Sequence, residues 1–224
     1  GTTTGTPPSV VIAYDVRSFH DLRKIYNPEL PNPLLGMLSK DFARIAAGIY
    51  AASGIKVWLA DSEKNGYVTT PELSFSIREL GASGGLNISA SHNHPDDNGA
   101  KIYNSEGAQA VAPRDQELAD CVSEAGEARE MPWEEAIESG LINSIPTEIH
   151  THYIQVNLDS TLDPTARCAK VAFTPLHGTG RTSVEQTLQK AGFELQCLPL
   201  QETPDGTFPT VPFHCANPEV PESM

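Results

Sequence analysis

The residues able to do chemistry are concentrated in one stretch, Ser89-Ala90-Ser91-His92-Asn93-His94-Pro95-Asp96-Asp97-Asn98-Gly99-Ala100-Lys101. Hydroxyls, imidazoles, carboxylates, amides and an ammonium lie within thirteen residues. In one reading Ser91 is a nucleophile or a phosphate carrier. A serine hydroxyl is weak alone and needs a neighbouring base, a cation or a metal. Adjacent residues rarely direct their side chains at one another, so His92 serves as an orienting donor rather than a triad base. Lys101 supplies a cation that balances a phosphate or transfers a proton, and Asn98-Gly99 permits a tight turn returning it toward Ser91. In a second reading His92 and His94, at i and i+2 before Asp96, belong to a metal-dependent hydrolase. That pattern wants histidine where Asp97 stands. A third reading is bland: a β–α loop whose Ser, Asn and Asp side chains satisfy backbone groups.

The elements that must position this stretch alternate. Val10-Val11-Ile12-Ala13-Tyr14 is a short β-branched run ending in Asp15, a strand by length and composition. A Pro- and Asn-rich stretch follows, and from Ser39 the spacing of Phe42, Ile45, Ala46, Ile49 and Tyr50 predicts a helix stopped at Gly54. Ile55 to Leu59 is a second strand. Thr70-Pro71-Glu72 reads as a cap, a proline at the first helical position and an acid in the first turn. That helix carries Leu73, Ile77 and Leu80 and ends at Gly81. Leu86-Asn87-Ile88 then delivers the chain to Ser91, and a polar loop after a strand is where open α/β sheets place their chemistry. Strand, helix, strand, helix, strand predicts a parallel sheet with right-handed crossovers.

Beyond Lys101 the pattern is weaker: a short strand at Ile102-Tyr103-Asn104, a helix from Asp115 to Val122, and a charged segment, Ser123 to Glu138, covering an edge. A helix beginning near Ile149 leads into a second unit. There Ala169 to Thr174 is a strand, Pro175 to Gly180 its loop, Thr182 to Lys190 a helix stopped by Gly192, and Phe193 to Leu200 another strand.

Acidic residues outnumber basic ones, 29 to 15, for a formal charge of −14. Repulsion then opposes a nucleic-acid or anionic-membrane partner, while a local basic pocket still permits an anionic substrate. Cys121, Cys168, Cys197 and Cys215 form no CxxC pair and are expected to be free thiols of a reducing compartment. No apolar run reaches the length of a membrane span and no leader pattern opens the chain, which points to the cytoplasm. The opening Gly1 to Thr6 lacks a methionine, and Asn217 to Met224 is turn-rich; both ends read as cuts.

The serine stretch resembles the active-serine signature of the α-D-phosphohexomutase superfamily, T/S-A-S-H-N-P followed by D-N-G-x-K. Ser89-Ala90-Ser91-His92-Asn93 and Asp97-Asn98-Gly99-Ala100-Lys101 match at the right separation, with His94 where the family has proline. The likeness is collinear along the chain. Val11 to Arg17 is similar to a first strand ending D-x-R, Thr69-Thr70-Pro71 to a T-P helix entry, and Gly107-Ala108-Gln109 to the G-A-Q of the glucose/pentose branch. Phe173 to Gly178 resembles the T-P-L-H-G that opens domain two, and Phe208 to Val211 and Asn217 to Glu219 resemble the approach to a metal loop.

On that resemblance the full-length protein interconverts the 1- and 6-phosphates of a hexose, as glucose and mannose phosphomutases do, with the pentose phosphates as the alternative. Ser91 would be carried as a phosphoserine, passing its phosphoryl group through a bisphosphorylated sugar. Mg²⁺ would sit on that phosphate, with a glucose 1,6-bisphosphate-type activator. Lys101 is implied as cation or proton-transfer partner, and His92 and Asn93 as loop-positioning residues. Arg17 would contact phosphate or, as a surface arginine at a strand end, form an ion pair; His177 would serve a tight turn. The D-G-D-x-D-R metal loop and the G-x-x-G-x-R opening have no counterpart; Gly1 and Gly5 lack the arginine. The 224 residues alone are therefore expected to be inactive without further domains of the same chain. A non-catalytic phosphate-binding module is a further alternative. The implied fold is α/β: a mixed, mostly parallel sheet with flanking helices over residues 1–148 and an incomplete second α/β domain over 149–224.

Overall fold

Every residue of β1 (Ser9–Tyr14) is buried, and the first unit is built outward from this strand. The computed structural model describes residues 7–64 and 66–223; Gly1, Gly5 and Met224 lie outside the described residues. α1 (Ser39–Ala52) leads to β2 (Lys56–Leu59), and α2 (Thr70–Glu79) to β3 (Gly84–Ile88). With β4 (Ala100–Asn104) and β5 (Ile142–Ser144) they form a sheet of order β4-β3-β1-β2-β5. β1 runs parallel to β2 and β3, and β2 parallel to β5. The chain thus steps from β1 to one side, then crosses back to the other. Right-handed crossovers made in opposite directions put α1 and α2 on opposite faces. That is why a central strand so rich in Val, Ile and Ala is closed on both sides.

α1 contributes Ala43, Ala47 and Ala51, all 0% exposed, so its backbone lies close to the sheet. α2 contributes Leu73 and Ile77, also 0% exposed, each stabilising by about 1.5–3 kcal/mol through burial. Gly54 and Gly81 take left-handed φ after their helices, +72° and +58°, as their positions predict. Thr70 is already helical, so the cap is Thr69, one residue earlier than expected. The Thr70 hydroxyl instead accepts from Asn87 Nδ2 at 3.1 Å.

The edges differ from the sequence pattern. β4 is antiparallel to β3, because the serine stretch joins them without a helix and a crossover of that length cannot reverse to parallel. β5 has three residues, too few for any periodicity. Within the charged segment α4 (Trp133–Glu138) buries Ala136, and Arg44 stacks over Trp133 at 5.0 Å. α3 (Arg114–Glu124) buries none of its residues.

The second unit contains α5 (Thr147–Asp159), β6 (Lys170–Phe173), α6 (Val184–Lys190) and β7 (Glu194–Cys197), with β6 and β7 parallel. α6 starts two residues late because 179–181 form a 3₁₀ turn first. All four cysteines are free; Cys121 and Cys168 are exposed rather than packed. Among the described residues no helix is long and apolar enough to cross a membrane.

α5 packs between α2 and α6 and joins the units. Its His150 Nδ1 meets Glu72 Oε1 at 2.7 Å, with the Glu72 side chain only 2% exposed. The Glu72 bond holds the imidazolium pKa above its ordinary value against burial. A raised folded-state value means the stabilisation is complete below about pH 6.5 and is lost as pH rises through the folded pKa. Comparing urea unfolding of the wild type and His150→Ala should show a deficit of roughly 1–3 kcal/mol at pH 6 that shrinks by pH 8.5. A deficit independent of pH would mean that only packing was lost.

Candidate active site

The two crossovers diverge at the carboxyl ends of β1 and β3, where an open sheet leaves a crevice. β1 ends there in Asp15 and Arg17, and β3 in the serine loop. A cleft of about 400 Å³ occupies the position, with Asp15, Thr70, Ser91 and His92 on one wall. Thr174 to Leu176 and Gly178 to Gly180 of the second unit, with Phe208, supply the other.

Ser91 is exposed and has φ +59°, the left-handed conformation that costs a residue with a Cβ roughly 1–2 kcal/mol. The surrounding bonds impose it. Ser91 N donates to Ser89 Oγ at 3.0 Å, Asn93 N to the Ala90 carbonyl at 3.2 Å, and Ser89 N to the Gly99 carbonyl at 2.8 Å. Strain of this kind is typical of a site that must present one side chain.

Arg17 holds the loop from beneath. It is buried, at 1% exposure, not on the surface as its strand-end position predicts. Its Nη2 donates to the Ser91 carbonyl at 2.7 Å, Nη1 to the His94 carbonyl at 2.6 Å, and Nε to Asp15 Oδ2 at 2.9 Å. Phe208 of the second unit lies 5.3 Å from the guanidinium. Asp15 Oδ1 accepts from Arg17 N and from Ser39 Oγ at 2.7 Å, and Ser39 Oγ accepts from Asn98 Nδ2 at 3.0 Å. One carboxylate therefore ties β1, α1 and both legs of the serine loop together.

His94, in the place of the family's proline, closes the turn by other means. Its ring Nδ1 accepts from Asp96 N at 3.2 Å, and its carbonyl accepts from Asp97 N as well as from Arg17. Burial, then the charge of Arg23, lowers its pKa, so the ring is neutral with its proton on Nε2. The Asp96 carboxylate, 3.7 Å from Nδ1, is not paired with a cation there.

The other predicted residues separate. Asn93 is exposed and outside the cleft lining. The Asn98-Gly99 turn forms, but it sends Lys101 back down the sheet, in register with Asn87. Lys101 lines a different cavity of about 410 Å³ between β4 and α3. Among the described residues no lysine or arginine lines the serine cleft, so side chains do not build the basic pocket that would permit an anionic substrate. Instead α2 opens there at Thr70, bringing the positive end of a ten-residue helix to the wall.

Among the described residues no three His, Cys, Asp or Glu side chains gather closely enough to hold a metal ion. His94 already accepts a backbone N–H through Nδ1 and does not line the cleft that His92 lines, so neither the hydrolase pattern nor a magnesium cage fits this residue set. His177 is buried, its ring nitrogens bonded to the Thr203 carbonyl (2.9 Å) and Thr210 Oγ1 (2.8 Å), which secures its own turn.

Sequence reasoning missed Asp15, Ser39 and Gly206. A Cβ on Gly206 would stand 2.2 Å from the Val16 carbonyl and 2.5 Å from Ser18 N, so only glycine lets the second unit bridge to Arg17. The D-x-R spacing was the signal for Asp15; nothing local marks the other two.

Residues 37–129 match the profile described as phosphoglucomutase/phosphomannomutase, alpha/beta/alpha domain I, and residues 148–224 match domain II of the same family. A phosphoglucomutase of Staphylococcus epidermidis is 35% identical over 95% of this chain and 35% of its own length. The Homo sapiens phosphopentomutase is 32% identical over 94% of this chain and 32% of its own. The crystal structure of a phosphoglucomutase/phosphomannomutase family protein from Burkholderia thailandensis shares the fold, with a TM-score of 0.60 at 22% identity, covering 96% of this chain and 40% of that one. The chain spans about a third of the length of these curated relatives. It belongs to the phosphoglucomutase/phosphomannomutase family.

Proposed function

We propose that this chain is the phosphoryl-carrying part of a sugar-phosphate mutase, with Ser91 as the carrier and a hexose phosphate as the substrate. The observation that supports it is Ser91 itself: exposed, held at φ +59° by Arg17 and Ser89, and opening on the cleft between the two units. In the reaction a sugar hydroxyl oxygen bonds to the phosphorus as the Ser91 Oγ–P bond breaks, and the hydroxyl proton leaves to a base. After the bisphosphorylated sugar reorients, its other phosphate returns to Ser91. Such transfers depend on placement and charge neutralisation more than on covalent help.

In this reading the residues have separate duties. Arg17 and Asp15 keep Ser91 in line, and the α2 N-terminus offsets phosphate charge. His92 and Asn93 orient the loop. Lys101 is proposed as cation or proton-transfer partner, a role that requires its side chain to leave the β4–α3 cavity it lines here. Mg²⁺ and a bisphosphate activator belong to the same proposal, with the metal's carboxylates and the sugar grip coming from further domains. The unit boundary near residue 149 is likewise proposed.

The direct test uses the full-length protein and isotope-labelled sugar bisphosphate. Label should be retained on Ser91 and absent in Ser91→Ala, whose mutase rate should fall by at least about 10³-fold. Label retained in Ser91→Ala would sink the reading. Glucose, mannose and ribose phosphates should all be assayed, since a pentose enzyme is among the relatives. For Arg17→Lys the charge survives but the fork is lost. Its kcat should drop about 10–100-fold, the scale of a misplacement near 1 Å, and its unfolding free energy by roughly 1–3 kcal/mol, as when buried acceptors lose their donor. Unchanged kcat would place Arg17 outside the machinery.

A further inference from the structure

Residues 19–37 leave the top of β1 and return to α1 as a strap whose ends are tied. Phe19 N donates to the Met37 carbonyl at 2.9 Å, and Gly36 N to the Phe19 carbonyl at 2.8 Å. Its near end is ordered by local bonds. The Asp21 carboxylate accepts from Ile25 N (3.0 Å) and Tyr26 N (3.2 Å), and its carbonyl accepts from Lys24 N (2.9 Å). Asp21 and Lys24 both take left-handed backbone, φ +49° and +55°, and the Tyr26 ring meets Phe19 edge-on at 5.7 Å. Arg23 sits in the middle of this turn.

Both ends of Arg23 grip the serine loop. Its Nη1 and Nη2 donate to Asp97 Oδ1 and Oδ2 at 2.5 and 2.8 Å, and its backbone N donates to Asp96 Oδ2 at 2.9 Å. Asp97 N in turn donates to the His94 carbonyl, the acceptor already held by Arg17. Two arginines therefore converge on one carbonyl, three residues after Ser91, one directly from within the fold and one through Asp97 from outside. They differ in burial: Arg17 is 1% exposed, whereas the Arg23 and Asp97 side chains are 41% and 36% exposed.

We infer that Arg23 is a positioning residue for Ser91, acting through Asp96 and Asp97 to fix the outer leg of the loop. This rests on the reading of Ser91 as the phosphoryl carrier. An ion pair so exposed contributes little to folding. A fork on both oxygens of one carboxylate, however, sets direction as well as distance. Without it the loop is held on the inner side alone, and the strained Ser91 has room to relax. In-line transfer is sensitive to displacements near 1 Å while ground-state binding is not, so the effect falls on kcat rather than KM.

The test compares full-length wild type with Arg23→Gln, Asp97→Asn, the double variant and the exchanged pair Arg23→Asp/Asp97→Arg. Amide hydrogen exchange over residues 89–99, thermal midpoints and steady-state kinetics are read for each. Exchange in that segment should rise about 5–10-fold in each single variant, no further in the double, and recover in part in the exchanged pair. The expected kinetics are a kcat about tenfold lower with KM within about twofold, and a midpoint within about 2 °C of wild type. Unchanged loop exchange in Arg23→Gln overturns the inference, as does faster exchange with undiminished kcat. Faster exchange throughout the chain with a lowered midpoint also overturns it, because the pair would then be merely structural. Should the loop loosen locally while wild type turns over no sugar phosphate, the positioning contact stands and the mutase reading falls.

Discussion

A guanidinium with almost no access to solvent is tolerable only where its charge and its donors are matched, since an unpaired buried charge costs several kcal/mol. Arg17 meets that condition through the Asp15 carboxylate, two loop carbonyls and the face of Phe208. These partners come from three segments, so satisfying one side chain fixes where β1, the serine loop and the second unit lie relative to one another. The left-handed backbone of Ser91 persists because its carbonyl is one of those acceptors.

The same contact explains why the cleft lies between units. Sheet order puts β3 and β2 on opposite sides of β1, so the crossovers part above β1 and leave a crevice there. The first unit supplies the hydroxyl and the helix N-terminus. The second contributes a loop wall and, through Gly206 and Phe208, the lid over Arg17. Polarity in the cleft thus comes from hydroxyl, imidazole and carboxylate side chains and from the α2 N-terminus, with no lysine or arginine among the described lining residues.

The core was readable in advance where local patterns and burial agree: the apolar run of β1, the periodic faces of α1 and α2, and the stops at Gly54 and Gly81. It was unreadable where direction or packing is set from a distance. β5 has too few residues for a period, and it is a strand because Val57 to Leu59 offer it an edge. The serine loop was recognisable as a candidate site from residue types alone. The ion pair expected of Arg17 is present with Asp15, but its burial was misjudged because a strand-end arginine is usually solvated, whereas the serine loop and Phe208, nearly two hundred residues away, pack on this one.

What the sequence by itself determined is the α/β order, the family likeness and the serine stretch as the candidate site, because strand and helix periods and a contiguous motif are local properties of the chain. Only the tertiary structure decided that Lys101 turns away from Ser91 and that Arg17 and Arg23 hold one loop from two sides. Those outcomes depend on strand register, on hydrogen-bond acceptors distant in sequence and on the solvent exposure of charges. None of these is encoded within any window of neighbouring residues.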